Sequence, residues 1–387
     1  MKLLKYLVDE IGPRWSGRPS NARAADYLAH EFTALGLQVQ CQDFPFVGWE
    51  VDAQPQLEVL APEKYQASVA LMEYSGSTPL AGIEGQVQSA GTAYVVPGFL
   101  EWPRYAILPD SPDHESGQGQ PAAYLVAHQG LAGWLGPAIP LHAPDPFVAW
   151  PMAVLAEADH NRFQAWLRAG ERIRVRFHTQ GHIATPMQMH NVIATLPGES
   201  DETVLFCAHL DTAYGTAGAN NNASGIQALY EIAQRLLQQP TRRLTYQFLL
   251  CDGCEWHYLG SRTFVNELRS HGKLGRYHAA INVDTVGSGD SFYFLASPDD
   301  LRRRAEKVVD QLVLRRRFRQ VEFLGPLAGS DHHSFLQVGI PASEILFWPC
   351  DVYKLPSDTT TAVDPALIST AAEIAYTLAQ TYEEELS

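Results

Sequence analysis

The sequence is short of basic residues: 28 Lys and Arg stand against 43 Asp and Glu, a formal net charge of −15. Nucleic acids and anionic membrane surfaces are bound through an excess of Lys and Arg, so neither is an expected partner. The one basic run, Leu314-Arg-Arg-Arg-Phe-Arg319, reads as a solvated helix end rather than a binding patch. Long apolar runs are also missing, and none reaches the roughly eighteen residues a membrane span needs. Cysteine is scarce and odd in number, 5 in all, and Cys207 and Cys251 sit inside apolar strand-like runs. That suits buried free thiols better than a disulfide framework, and it points to a reducing, cytoplasmic compartment. The opening Met1-Lys-Leu-Leu-Lys-Tyr-Leu-Val-Asp-Glu meets acids too soon for the apolar core of a signal peptide and reads as an amphipathic helix. There is no internal repeat and no low-complexity tract.

What is present is a large apolar fraction, 46% of 387 residues, enough for a main domain and an accessory one. Residues 1–60 read as the N-terminal part of the main domain: a helix over Leu3–Ile11, a helix over Ala22–Leu35 ended by Gly36, and a strand from Leu37 with alternating polarity. Residues 61–185 change texture, with many Pro and Gly and short strand-like runs, as expected of an inserted β-rich accessory domain. Residues 186–387 alternate apolar strands with helical periods and end in a helix from Asp364 to Leu386. That pattern predicts an α/β fold with a mostly parallel central sheet and helices on both faces.

The chain is organised around Thr203–Leu237. Val204 to Ala208 form a continuous apolar run, the signature of a central parallel strand covered on both sides. His209 and Asp211 leave its carboxyl end, where open α/β sheets place ligands. A helix opens at Ser224-Gly225, with Ile226, Leu229, Ile232, Ala233 and Leu236 at helical spacing. An imidazole and a carboxylate two residues apart suit a metal ligand and the group that orients it. Alone, the pair equally suits a satisfied core histidine and a turn-forming aspartate. Three further groups follow strand-like runs or open a helix at the same rim: Cys254-Glu255, Asp284, and Asp331-His332. Two histidines and two carboxylates converging from distant strand ends fit zinc or a similar ion.

In order and spacing these groups resemble the family-28 metallopeptidases, the co-catalytic zinc aminopeptidases and relatives that include glutaminyl cyclases and the glutamate carboxypeptidase and transferrin-receptor group. The resemblance rests on His209-Leu-Asp211, Gly218-Ala-Asn220-Asn-Asn-Ala-Ser-Gly225, Cys254-Glu255, Asn282-Val-Asp284 and Ser330-Asp331-His332. Ile11-Gly-Pro-Arg14 and Leu355-Pro-Ser-Asp-Thr359 add to it. It implies a zinc aminopeptidase-like fold, a protease-associated-like insertion, and a peptide or small amino-acid-derived substrate. It also implies His209 and Asp284 on one metal, Glu255 and His332 on another, and Asp211 orienting His209. Trp256, Phe347 and Tyr353 fall where the resemblance places pocket walls, although core packing suits them equally.

Two positions depart from the family pattern. Asn220 stands where the resemblance puts the Asp that bridges two metals, and Cys254 where it puts the general-base Glu. An amide offers one neutral oxygen, so one zinc ion is expected rather than two. Beside a metal, Cys254 is expected to be a ligand or a reactive thiolate. Cys251 and Cys254 have the spacing of half a structural zinc site or a redox pair, but no second pair accompanies them. The expected activity is therefore a weakened metal-dependent aminopeptidase. The alternative is an inactive relative that binds peptides.

Overall fold

The computed structural model describes residues 1–96, 100–109, 120–127, 139–140, 150–325 and 329–385. The chain forms two compact units, one made of Met1–Phe46 with Gln188–Ser387 and the other of Val47–Met187. The chain thus leaves the larger unit earlier than the expected boundary at residue 60. Gln38–Ala61 is a single long strand, so no turn marks the crossing for composition to detect.

In the larger unit the strands are β1 (Thr203–His209), β2 (Thr245–Cys251), β3 (Tyr277–Val283), β4 (Ser291–Ser297), β5 (Gln320–Leu324) and β6 (Ala342–Trp348). Their order is β5-β4-β6-β3-β1-β2, followed by the last residues of the strand Arg174–Leu196. β1 runs parallel to both β2 and β3, and β3 runs parallel to β6. β4 is antiparallel to β6, and Val192–Leu196 is antiparallel to β2. The parallel character is therefore concentrated at the centre. β4 and β5 were not expected as strands, because each lies beside a charged, loop-like stretch that weakens the local pattern.

Besides the N-terminal helical segment over residues 2–11 and the short helical turn His332–Leu336, the longer helices are α1 (Pro19–Ala34), α2 (Ser224–Leu237), α3 (Leu259–Ser270), α4 (Asp299–Gln311) and α5 (Pro365–Glu385). The expected last residue of α5, Leu386, lies outside the described residues. The apolar run of β1 divides by alternation. Val204, Phe206 and Ala208 join one core with Leu28 and Phe32 of α1, Ile226 and Leu229 of α2, and Ile374 and Leu378 of α5. Leu205 and Cys207 join a second core with Phe264, Val265 and Leu268 of α3 and with Phe335. A strand sandwiched in this way needs apolar residues at every position, and each large one contributes roughly 1.5–3 kcal/mol by burial. Gly225 is required at the start of α2, since a Cβ there would meet the Val283 carbonyl oxygen at 2.1 Å.

Among the described residues, the unit Val47–Met187 is β-rich with one helix, Glu157–Arg168. Its strands include the antiparallel pair Ile83–Val96 and Leu100–Pro109 and the parallel pair Ala123–Ala127 and Met152–Leu155. Leu57, Val59, Tyr105, Leu125, Leu155, Phe163 and Phe177 form its own core.

Candidate metal centre

The candidate site lies where β1, β2 and β3 end side by side. His209 closes β1 and is 1% exposed. Its Nδ1 lies 3.0 Å from the Asp211 carbonyl oxygen and 3.3 Å from Asp211 Oδ1. Its Nε2 lies 3.5 Å from Asp284 Oδ1 and 3.0 Å from Asn221 Oδ1. Burial opposes charge on this imidazole, but Asp284 and Asp211 outweigh it and hold the pKa well above the usual value. Asp284 follows β3, and Ser330 Oγ donates to its Oδ2 at 2.6 Å while Thr285 Oγ1 donates to its Oδ1 at 3.0 Å. Burial would raise this carboxyl, but His209 and those hydroxyls hold it below the usual range.

Asp211 does more than orient His209. Its Oδ1 accepts from the Cys254 backbone N–H at 3.1 Å, and its Oδ2 from that of Glu255 at 3.0 Å. The turn after β2 is thereby fixed, with Gly253 supplying the left-handed conformation at φ 72. Cys254 is placed so that its sulfur joins His209 and Asp284: among the described residues, these three put ligand atoms within 4.8 Å of one another. Burial first, then Asp331, Asp284, Asp211 and Glu255, push the pKa of the Cys254 thiol well above the ordinary value. A bound cation would offset those carboxylates, and the expectation of a ligand or thiolate applies beside one.

Two assignments change. The side chain of Asn220 does not enter the site: its Oδ1 accepts from the Gly287 N–H, and its Nδ2 reaches Ser288 Oγ and Cys350 Sγ, each at 3.0 Å. The next residue, Asn221, stands between the strand ends instead, accepting from His209 and donating from Nδ2 to Glu255 Oε1 at 3.0 Å. Three consecutive asparagines make this register ambiguous in sequence. The backbone resolves it, because Asp358 accepts from the N–H groups of Asn220 and Asn221 at 2.7 and 3.0 Å. Phe347 is fully buried against Phe292 and Phe318 and is core rather than pocket wall.

His332 and Glu255, expected together on one metal, each face another partner within the chain. His332 Nδ1 faces Glu344 Oε2 at 3.3 Å. Burial, then Asp284 and Asp331, keep the Glu344 pKa well above the usual value. Glu255 is held by Lys354, whose Nζ donates to Oε2 while Asn221 occupies Oε1. Sequence reasoning passed over Lys354. It is the lone cation in Tyr353-Lys354-Leu-Pro-Ser-Asp358, and in the structure it is only 5% exposed. Tyr353 is half-buried, and burial together with Glu255, Asp284 and Cys254 drives its pKa well up, so its hydroxyl stays protonated. Trp256 packs on Trp15 and Phe46 at ring separations of 4.8 and 5.1 Å. Arg14, fully buried, ties the N-terminal segment to this rim by donating to the carbonyls of Leu210, Ala217 and Gly218.

Fold and site together define an α/β protein with metal-capable residues at the carboxyl ends of parallel strands. Residues 191–379 match the model of peptidase family M28. It is 24% identical over 322 residues to the probable lipoprotein aminopeptidase LpqL of Mycobacterium tuberculosis, covering 78% of this chain and 61% of that protein. Its fold is shared with an aminopeptidase from Aneurinibacillus sp. strain AM-1, with a TM-score of 0.72 at 20% identity over 98% of this chain and 93% of the other. A peptidase M28 precursor from Shewanella amazonensis gives a TM-score of 0.76 at 18% identity, covering 98% and 91%. The chain spans between 25% and 66% of the length of the first curated relatives it matches. No helix among the described residues is long and apolar enough to cross a membrane.

Proposed function

We propose that the chain is a metal-dependent hydrolase of aminopeptidase type that removes N-terminal residues from peptides with one zinc-class ion, at reduced turnover. The observation that supports this is the meeting of His209, Cys254 and Asp284 within 4.8 Å. Imidazole nitrogen, sulfur and carboxylate oxygen are donors suited to zinc. A divalent cation bound there supplies the positive charge against which a carbonyl oxygen is polarised.

The chain's own residues do the rest. Asp211 fixes the His209 ring through Nδ1, so that Nε2 faces Asp284. Tyr353 is the residue proposed to line the substrate side of the site, its ring centre 5.5 Å from the Lys354 ammonium. Glu255 is engaged by Lys354 and Asn221 and is not available as a base. The absence of a positioned general base costs about 10²–10⁴ in rate, which is the reason for a weakened enzyme. The unit Val47–Met187 corresponds to the protease-associated-like insertion, and the five free thiols fit a cytoplasmic setting.

The engagement of Glu255 favours a second reading, a peptide-binding relative without catalysis. Elemental analysis of metal per chain, with turnover of a panel of aminoacyl anilides in zinc and in cobalt, separates the two. One ion with metal-dependent turnover supports the hydrolase. A chain without metal and without restored turnover leaves only the binding protein.

A further inference from the structure

Glu255 is a carboxylate with 7% exposure at a rim that also gathers Asp211, Asp284, Asp331 and Glu344, all buried. A buried anion persists only with a compensating cation or a proton. For His209 and Asp284 the partners are each other. For Glu255 the cation is the side chain of Lys354, 5% exposed, whose ammonium also lies 5.5 Å from the centre of the Tyr353 ring. The remaining oxygen of Glu255 is taken by the Asn221 amide. Both carboxylate oxygens thus carry donors, and a second ion beside the His209 group would have to displace an ammonium tethered to the backbone.

We infer that Lys354 is a built-in cation that replaces a second metal ion at Glu255 and limits the site to one exchangeable ion. Lys354 is a positioning residue in this assignment: it holds Glu255 in place and touches no reacting atom. The inference deepens the one-ion reading above but is read from a difference between variants, so it stands or falls separately from it.

The test is the number of cobalt ions bound per chain, by equilibrium dialysis and elemental analysis, in the full-length wild type, Lys354→Gln and Lys354→Arg. Gln removes the charge and leaves an oxygen donor in place, whereas Arg keeps the charge. The expected result is one more equivalent in Lys354→Gln than in wild type, whatever the wild-type count, with no gain in Lys354→Arg. A melting temperature raised by cobalt more in Lys354→Gln than in wild type would accompany it, as binding to the folded state alone requires. If Lys354→Gln folds only when cobalt is present, the ion has taken over the role of the ammonium and the inference is supported. No additional equivalent in Lys354→Gln, or failure to fold even with cobalt, overturns it. A wild type with no ion at all, beside a gain of one in Lys354→Gln, would sink the one-ion hydrolase and keep Lys354 in its assigned role.

Discussion

The two halves of the strand-end rim solve the same electrostatic problem in different ways. Around His209, the donors of Cys254 and Asp284 face one another and the compensating charge is a proton on the imidazole, which the solvent can take back. Around Glu255, the compensating charge is Lys354, which cannot leave. Buried carboxylates require compensation in either case, so the identity of the counter-charge decides which half can exchange it for a metal ion. The lesson is that a ligand-type residue is informative only together with what neutralises it.

The comparison breaks most severely if the exchangeable half is dismantled. His209→Ala removes one of three donors, whereas Asp284→Asn keeps an oxygen but removes its charge. Cobalt or zinc binding measured by calorimetry is expected to fall by more than the roughly 10–100-fold typical of losing an outer partner. Unchanged affinity in both variants would mean that the ion is held elsewhere.

A gain of function sharpens the same contrast. Asn221→Asp combined with Cys254→Glu places acids at the two rim positions that lack them, and metal-dependent anilide turnover is expected to rise by about 10²–10⁴. Asn220→Asp with Cys254→Glu is the control. Asn220 Nδ2 donates to Ser288 and Cys350, away from His209, so this pair is expected to give no gain beyond Cys254→Glu alone. Equal gains from the two double variants would overturn the placement of Asn221 in the site.

How much of this was legible in sequence follows from the same residues. The apolar run of β1 and the helical spacing of α2 announced a central strand and its helix, because burial on both faces leaves no polar position in the run. His209, Asp211 and Asp284 were placed by their position just after such runs. Asn221 was missed by one residue, since three identical side chains carry no register and the choice is made by Asp358, 137 residues away from Asn221 in the chain. Lys354 was missed because an ion pair between residues separated by 99 positions leaves no periodic trace. Phe347 was left open between pocket wall and core, because an aromatic residue near a strand end looks the same whether it faces a cleft or the core.

A milder perturbation tests the support of the exchangeable half. Asp211→Asn keeps the shape of the side chain but removes the charge beside His209 Nδ1 and weakens its hold on the N–H groups of Cys254 and Glu255. Metal affinity is expected to drop by about 10–100-fold without loss of the fold, as read by calorimetry and circular dichroism. An affinity equal to that of wild type would show that the backbone carbonyl of residue 211 alone is enough to orient the ring.

The smallest effect is expected at a second buried histidine, in the unit Val47–Met187. His160 is 5% exposed, and its Nδ1 lies 2.7 Å from the Tyr105 hydroxyl, which also accepts from Gln164 Nε2 at 2.8 Å. Among the described residues, no carboxylate grips this ring as Asp211 and Asp284 grip His209. Burial lowers its pKa below 6.5, and Glu157 offsets this only in part. The unfolded chain therefore binds a proton near pH 6.5 that the folded chain refuses until lower pH. The unfolded state holds more protons in that window, so the contribution of His160 to stability is complete above about 6.5 and is lost as pH falls through the lowered folded value. His160→Asn, which keeps a polar atom near the Nδ1 position but cannot titrate, should flatten this dependence. Hydrogen exchange over residues 157–168 of the full chain, measured at pH 7.5 and pH 5 and corrected for intrinsic exchange rates, reads it directly. The wild type should lose protection at the lower pH and the variant should lose less. Equal losses would show that acid acts on this unit through groups other than His160.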